Sequence, residues 1–282
     1  MAQKHDVLQR PDIEMEYARL GKSGLNISRI VLGAMSYGSS KMFDWILDEE
    51  QALPLLEHAY KKGINKWIQY FSLLADVYSK GRSEEIIGKA LEQYKIPRSN
   101  VVIMTRCYFL VDPNCELPLF QIQNTGEFVN RLGLSRKHIF DAVNASVQRL
   151  GTYIDVLQIH QSGKVRYIGA SSMAAWEFQA LQNIAARNGG HQLISMQSYH
   201  NLLNREGERE MIPYCVDSGV GLIPWSPLAR GALTRPLGSR STVHEQSDRI
   251  MKTMIRDTET EADKIIIGRV EELAKKRGIS MA

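Results

Sequence analysis

From Arg29 onward, short runs rich in Val and Ile alternate with longer stretches whose apolar residues recur at helical spacing. The short runs predict strands at Ile30–Leu32, Ile64–Trp67, Val101–Thr105, Ile154–Ile159, Val165–Gly169, Ile194–Gln197 and Val220–Pro224. Such near-continuous apolar runs mark parallel strands covered on both faces. Helices read between them at Glu49–Lys62, Ser83–Tyr94, Ser135–Leu150, Ala174–Arg187, Arg205–Ser218 and Glu259–Arg277. Several close on a glycine (Gly63, Gly151, Gly219, Gly278), and Glu84 and Glu85 favour the start of the second. Strand–helix alternation of this kind predicts an α/β fold built on a parallel sheet.

Two places interrupt the alternation. Only Gln161, Ser162, Gly163 and Lys164 separate His160 from Val165, whereas a parallel crossover normally takes a dozen residues or more. Either these strands pair as a hairpin, or the helix that should join them is lost. The second interruption is the end at Ala282, directly after a helix, where an eighth strand is expected. Seven strands leave two sheet edges open. Asp112–Arg131 and Leu237–Asp257 read as long loops, which in such folds often cover a binding site.

Composition narrows the class. With 282 residues, 44% of them hydrophobic and 23% charged, the chain is neither disordered nor fibrous, and the length suits one α/β barrel of about 250 residues. A net charge of +4, spread along the chain, does not point to nucleic acid. Cys107, Cys115 and Cys215 lack metal-site or disulfide-framework spacing, so no metal is expected and a reducing, cytoplasmic setting fits. The polar tail of residues 1–16 lacks a signal peptide's apolar core, and no apolar run is long enough to span a membrane.

Motif by motif, much is bland. Gly21-Lys22-Ser23 has Glu16 where a phosphate-binding loop needs its leading glycine, so a turn between two N-terminal β segments is the plainer reading. No G-x-G-x-x-G follows a strand, so a Rossmann fingerprint is absent. Asn26-Ile27-Ser28 and Asn144-Ala145-Ser146 fit a glycosylation sequon but lack a secretion signal. The informative residues stand where barrel enzymes keep their chemistry, at the C-terminal ends of strands. They are Ala75–Tyr78, Met104–Arg106, Leu157–His160, Gly169–Ser172, Met196-Gln197 and Pro224–Gly231. Singly, Tyr78 is any loop aromatic, His160 an interior histidine, Arg106 a strand end and Trp225 core packing.

In this order, together with Leu20–Leu25, Val31–Gly38 and Gly81–Gly88, they resemble the aldo-keto reductase family from about Tyr17 to Ala282. The aryl-alcohol-dehydrogenase-like branch, with its fungal reductases of secondary metabolism, is the nearest match. The resemblance implies a (β/α)8 barrel, a single domain here shortened at its C-terminus, that binds NADPH without a Rossmann motif and reduces a small aldehyde or ketone. It implies Tyr78 as proton donor and His160 as a holder of the substrate oxygen. A tyrosine near pKa 10 needs a nearby cation to ionise more readily. It further implies Ser171, Ser172 and Gln197 around the nicotinamide carboxamide and Trp225 stacked on its ring. Ser226, Pro227, Leu228, Arg230 and Gly231 would follow the cofactor's phosphates.

The departures from that pattern are physical. Residues Ile68–Leu74 separate Trp67 from Ala75, five more than the family's Trp-Asp-Thr-Ala allows, and either alignment places Leu73 or Ile68 at the aspartate. Asp76 is the nearby carboxylate, a substitute only if the backbone reroutes. Arg106 stands at the catalytic lysine place, keeping the charge in a larger, planar group. The surplus residues and the early end read as retained intron sequence or a misplaced stop in the gene. Three functions follow: an NADPH-dependent reductase, an NADPH-binding or regulatory barrel with little turnover, or the product of a decayed gene. The oligomeric state is not legible.

Overall fold

The computed structural model describes residues 14–68, 79–112, 114–115, 117, 121–158, 165–239, 242–248 and 252–281. The chain opens with an antiparallel hairpin, β1 (Tyr17–Arg19) and β2 (Asn26–Ser28), paired from Tyr17↔Ser28 to Arg19↔Asn26. Seven parallel strands follow: β3 (Leu32–Gly33), β4 (Lys66–Ile68), β5 (Val102–Arg106), β6 (Ile154–Gln158), β7 (Val165–Ser171), β8 (Ser195–Gln197) and β9 (Gly221–Leu222). They lie side by side in chain order, as successive βα units demand. The fold is α/β, an incomplete (β/α)8 barrel whose sheet is curled. Among the described residues no ladder joins β9 back to β3 and no eighth strand is present.

Alternation along the strands sorts two cores. Outward, Trp67, Ile103 and Leu157 meet Leu56, Ile86 and Ile139 of the helices α1 (Glu49–Lys61), α2 (Arg82–Gln93) and α3 (Arg136–Leu150). Inward, Val102, Met104, Val156 and Ile223 meet Leu20 and Ile27 of the hairpin, which floors the barrel. Each such aliphatic side chain contributes roughly 1.5–3 kcal/mol on leaving water. The hairpin fits because Lys22 N donates to Gly219 O at 2.7 Å, and a Cβ on Gly21 would lie 2.2 Å from that same carbonyl. Only glycine tolerates that approach, and at φ 56° it also takes the left-handed backbone without strain. The bland reading of Gly21-Lys22-Ser23 as a turn therefore holds.

Helix ends follow their sequence signals. Ser135 caps α3 by accepting from His138 N at 3.2 Å, and Gly151 ends it at φ 65°. Glu84, fully buried in α2, accepts from Thr105 Oγ1 at 2.7 Å and from Arg149 Nε at 2.6 Å, tying α2 to β5 and α3. On the far side, α4 (Ala175–Arg187) and α5 (Met211–Ser218) pack Phe178, Met211 and Cys215 on Ala170, Met196 and Val220.

Three expectations need correction, and one open alternative is decided. The short connection after β6 left a hairpin or a lost helix open, and β6 and β7 pair in parallel from Ile154↔Val165 to Gln158↔Gly169. A return along a five-residue strand needs about 13 Å, and the residues between the two reach roughly 20 Å when extended, so chain length permits it. The predicted helix Arg205–Ser218 breaks at Glu210, leaving a short 3-10 turn at Glu206–Glu208 before α5, where Pro213 sits harmlessly in the first turn. The seventh parallel strand is only Gly221–Leu222, shorter than Val220–Pro224. Finally, Leu237–Asp257 is not merely loop. It contains α6 (Val243–Ser247) and a π-helical turn at Lys252–Arg256, ahead of α7 (Glu261–Arg277). Buried Glu245 anchors this segment by accepting from Arg256 Nε and facing Arg235.

Candidate active site

The C-terminal ends of β7, β8 and β9 bring the predicted polar residues together. Ser171 and Gln197 are register partners, and Ser171 Oγ donates to Gln197 O at 2.8 Å. Ser172 N donates to the same carbonyl at 3.1 Å, and the two serine hydroxyls lie 3.2 Å apart. Ser172 holds φ 50°, an uncommon conformation for a residue with a Cβ. Ser171 and Gln197 are both buried at the C-terminal ends of their strands.

Trp225 follows β9 and is 6% exposed. Its backbone N–H donates to Ser198 O at 3.0 Å, and its ring stacks on Tyr199 with centroids 4.4 Å apart and planes at 27°. A groove of about 900 Å³ runs between the two open edges of the sheet. It is lined by β1, β2 and β3 on one side and by Gln197, Trp225, Ser226, Pro227 and Leu228 on the other.

The backbone beyond Trp225 is contorted. Ser226, Ala229, Arg230 and Gly231 all take positive φ, at 49°, 48°, 54° and 101°. Three of these carry side chains, and each such conformation costs on the order of 1–3 kcal/mol unless its surroundings enforce it. Two contacts enforce it here. Asn201 Nδ2 donates to Ser226 O at 3.1 Å, and the Arg230 guanidinium is held by Asp248, both side chains being almost wholly buried. The Arg230 side chain thus braces the loop.

Arg106 ends β5, in register with Gln158, and the alternation that turns Val102 and Met104 inward gives Arg106 the same face. It is 7% exposed. Tyr78, Asp76 and His160 lie outside the described residues. Lys66, the first residue of β4 and the register partner of Val102, is fully buried at the N-terminal ends of the strands, opposite the end that carries Ser171 and Gln197. Burial pushes its amine down to about 7, against the opposing pull of the Asp155 carboxylate. Among the described residues its Nζ has no hydrogen-bond partner. No group of three or more His, Cys, Asp or Glu side chains there is placed to hold a metal ion, and no helix there is long and apolar enough to cross a membrane.

The family model described as the aldo/keto reductase family matches residues 29–162 and 160–282. The chain belongs to the aldo/keto reductase family. Versiconal hemiacetal acetate reductase of Aspergillus parasiticus is 61% identical over 290 residues, which cover 95% of this chain and 83% of the relative. Candidate aryl-alcohol dehydrogenases of Schizosaccharomyces pombe and Saccharomyces cerevisiae are each 47% identical, over 94% and 95% of this chain and 82% and 83% of theirs. An aldo/keto reductase is an oxidoreductase of small carbonyl compounds that works with a nicotinamide cofactor. The polar set at the ends of β7 and β8, beside an indole, fits the carboxamide and flat ring of such a cofactor: hydroxyl and amide groups can both donate and accept there.

Residues that sequence reasoning missed are those that brace rather than line the site. Tyr199, Asn201 and Asp248 carried no motif. A signal existed for the first two, since Tyr199-His200-Asn201 directly follows a strand's C-terminal end, where barrel folds gather function.

Proposed function

We propose that the protein is an NADPH-dependent reductase that converts a small aldehyde or ketone to an alcohol, acting in the cytoplasm on an intermediate of fungal secondary metabolism. The observation that carries this reading is the convergence of Ser171, Ser172 and Gln197 beside Trp225 at one end of the sheet. The serine hydroxyls and the Gln197 amide would hold the carboxamide, and Trp225 would present one face to the nicotinamide while Tyr199 backs the other. Pro227, Leu228 and Gly231, with the backbone of Ser226 and Arg230, would follow the phosphates.

The reduced nicotinamide, when bound, supplies the hydride. Tyr78 Oη then gives its proton to the carbonyl oxygen as negative charge develops there, and His160 donates a second hydrogen bond to that oxygen. An unperturbed tyrosine is a weak acid at neutral pH. Arg106, a permanent cation facing the barrel interior, favours the phenolate and makes the proton easier to give up. Asp76 is the carboxylate available to orient that cation.

The reading is tested by titrating the purified chain with NADPH and following the quenching of its tryptophan fluorescence. Loss of NADPH absorbance with an aromatic aldehyde then reports turnover. Binding with turnover that Tyr78→Phe abolishes supports the proposal. Binding without turnover makes the chain an NADPH-binding barrel, and no binding removes the cofactor assignment altogether.

A further inference from the structure

We infer that Asn201 is a positioning residue for the nicotinamide seat: its side-chain amide fixes Ser226 and thereby the ring of Trp225. The inference rests on the cofactor reading above, and its first observable does not. Asn201 is 6% exposed and follows β8 by four residues. Its Oδ1 accepts from Leu203 N at 2.9 Å and Asn204 N at 3.0 Å, closing a tight turn in which Asn201 and Asn204 also pair through their backbones. That leaves Nδ2 facing outward, and it donates to Ser226 O at 3.1 Å. The amide orientation follows from chemistry, because the reverse would set an NH2 group against two backbone N–H donors.

Both ends of the amide are therefore used, one inside its own turn and one across to the β9 exit. Ser226 needs that support, being a non-glycine residue at φ 49°. Its neighbour Trp225 is gripped from the same segment twice more, by Ser198 O on its backbone N–H and by the Tyr199 ring on the face of its indole. Residues 198–201 thus act as a template for the angle of the indole. A flat ring stacked on another flat ring is sensitive to that angle, so a small rotation at Ser226 would weaken the seat without unfolding anything.

Asn201→Asp isolates the effect. The carboxylate keeps the acceptor for Leu203 N and Asn204 N but loses the side-chain donor to Ser226 O, leaving that carbonyl the Ala229 N–H at 2.9 Å, and sets two oxygens against each other. The near-ultraviolet circular dichroism attributable to Trp225, defined by difference from Trp225→Phe, should fall markedly. The midpoint of thermal unfolding should move little. The KM for NADPH should rise about three- to tenfold, the value of one lost hydrogen bond, while kcat at saturating cofactor stays near that of the parent. Asn201→Ser, whose hydroxyl can accept from Leu203 N but cannot reach Ser226, gives the same readout should the carboxylate impair folding. An unchanged dichroism band in either folded variant overturns the inference, as does an unchanged KM. Failure of the parent chain to bind NADPH overturns the cofactor reading instead, and the dichroism still decides whether Asn201 holds the indole.

Discussion

Arg230 Nε donates to Asp248 Oδ2 across 2.8 Å, with side chains only 2% and 3% exposed. The pair joins the turn after β9 to the segment following α6, and it crosslinks the strained loop from outside. Removing one partner of a buried ion pair typically costs about 3–5 kcal/mol, because the other charge stays in a low-dielectric setting. Asp248→Ala should therefore lower stability by that order in urea denaturation. The double variant Arg230→Met/Asp248→Leu should recover much of the loss, and full additivity of the two single changes would refute the pairing.

Lys66 sets a pH dependence whose sign can be worked out. In the unfolded chain its amine keeps a proton up to about pH 10.4, whereas in the folded chain burial releases it near 7. Between these values the unfolded state binds more protons, so stability rises with pH across that window and is flat below it. Lys66→Met should abolish this slope and stabilise the protein at pH 7 by a few kcal/mol, since nothing charged remains to be buried. Denaturant midpoints of both proteins from pH 6.5 to 9.5, taken as about three units of pH, read this directly.

Glu84 serves α2, β5 and α3 at once. Glu84→Ala strands the Thr105 hydroxyl and the Arg149 guanidinium, and a loss of about 3–5 kcal/mol is expected. Glu84→Gln keeps the shape and an acceptor for one of the two donors, so its loss should be smaller. Thermal unfolding of the two variants ranks them, and equal losses would show that packing rather than charge matters.

At the proposed catalytic end, Arg106→Met removes the cation expected to ease ionisation of Tyr78. The pH–rate limb belonging to Tyr78 should move to higher pH, and kcat should fall by on the order of a hundredfold, with little change in the KM for NADPH. A profile that does not move would assign the pKa control to another group.

The parts of the fold that proved legible are those governed by local pattern. Ile103 and Leu157 announced buried strands, and Ser135 and Gly151 bracketed α3 through the chemistry of helix ends. The parts that escaped depend on partners remote in the chain. The parallel pairing of β6 with β7 is decided by the whole sheet, not by the short connection between them. α6 sits in a polar stretch without strong periodicity, and it is Glu245 in contact with Arg235 and Arg256 that fastens the segment. At the site, Ser171, Gln197 and Trp225 were marked by their place after strands, whereas Asn201 and Asp248 matter through hydrogen bonds to backbone and to a distant arginine. No window of neighbouring residues contains that information.

The contact between Lys22 and Gly219 has a temporal consequence. The hairpin leads directly into β3, and Gly219 stands just before β9, so this contact bridges the first and last strands of the parallel sheet without any ladder between them. During synthesis the hairpin emerges well before Gly219, its backbone partner. Leu20 and Ile27 can pack on Val102, Met104 and Val156 once β5 and β6 form, whereas the Lys22–Gly219 bond waits for the approach to β9, so this closure of the barrel floor is a long-range event of the kind that slows folding.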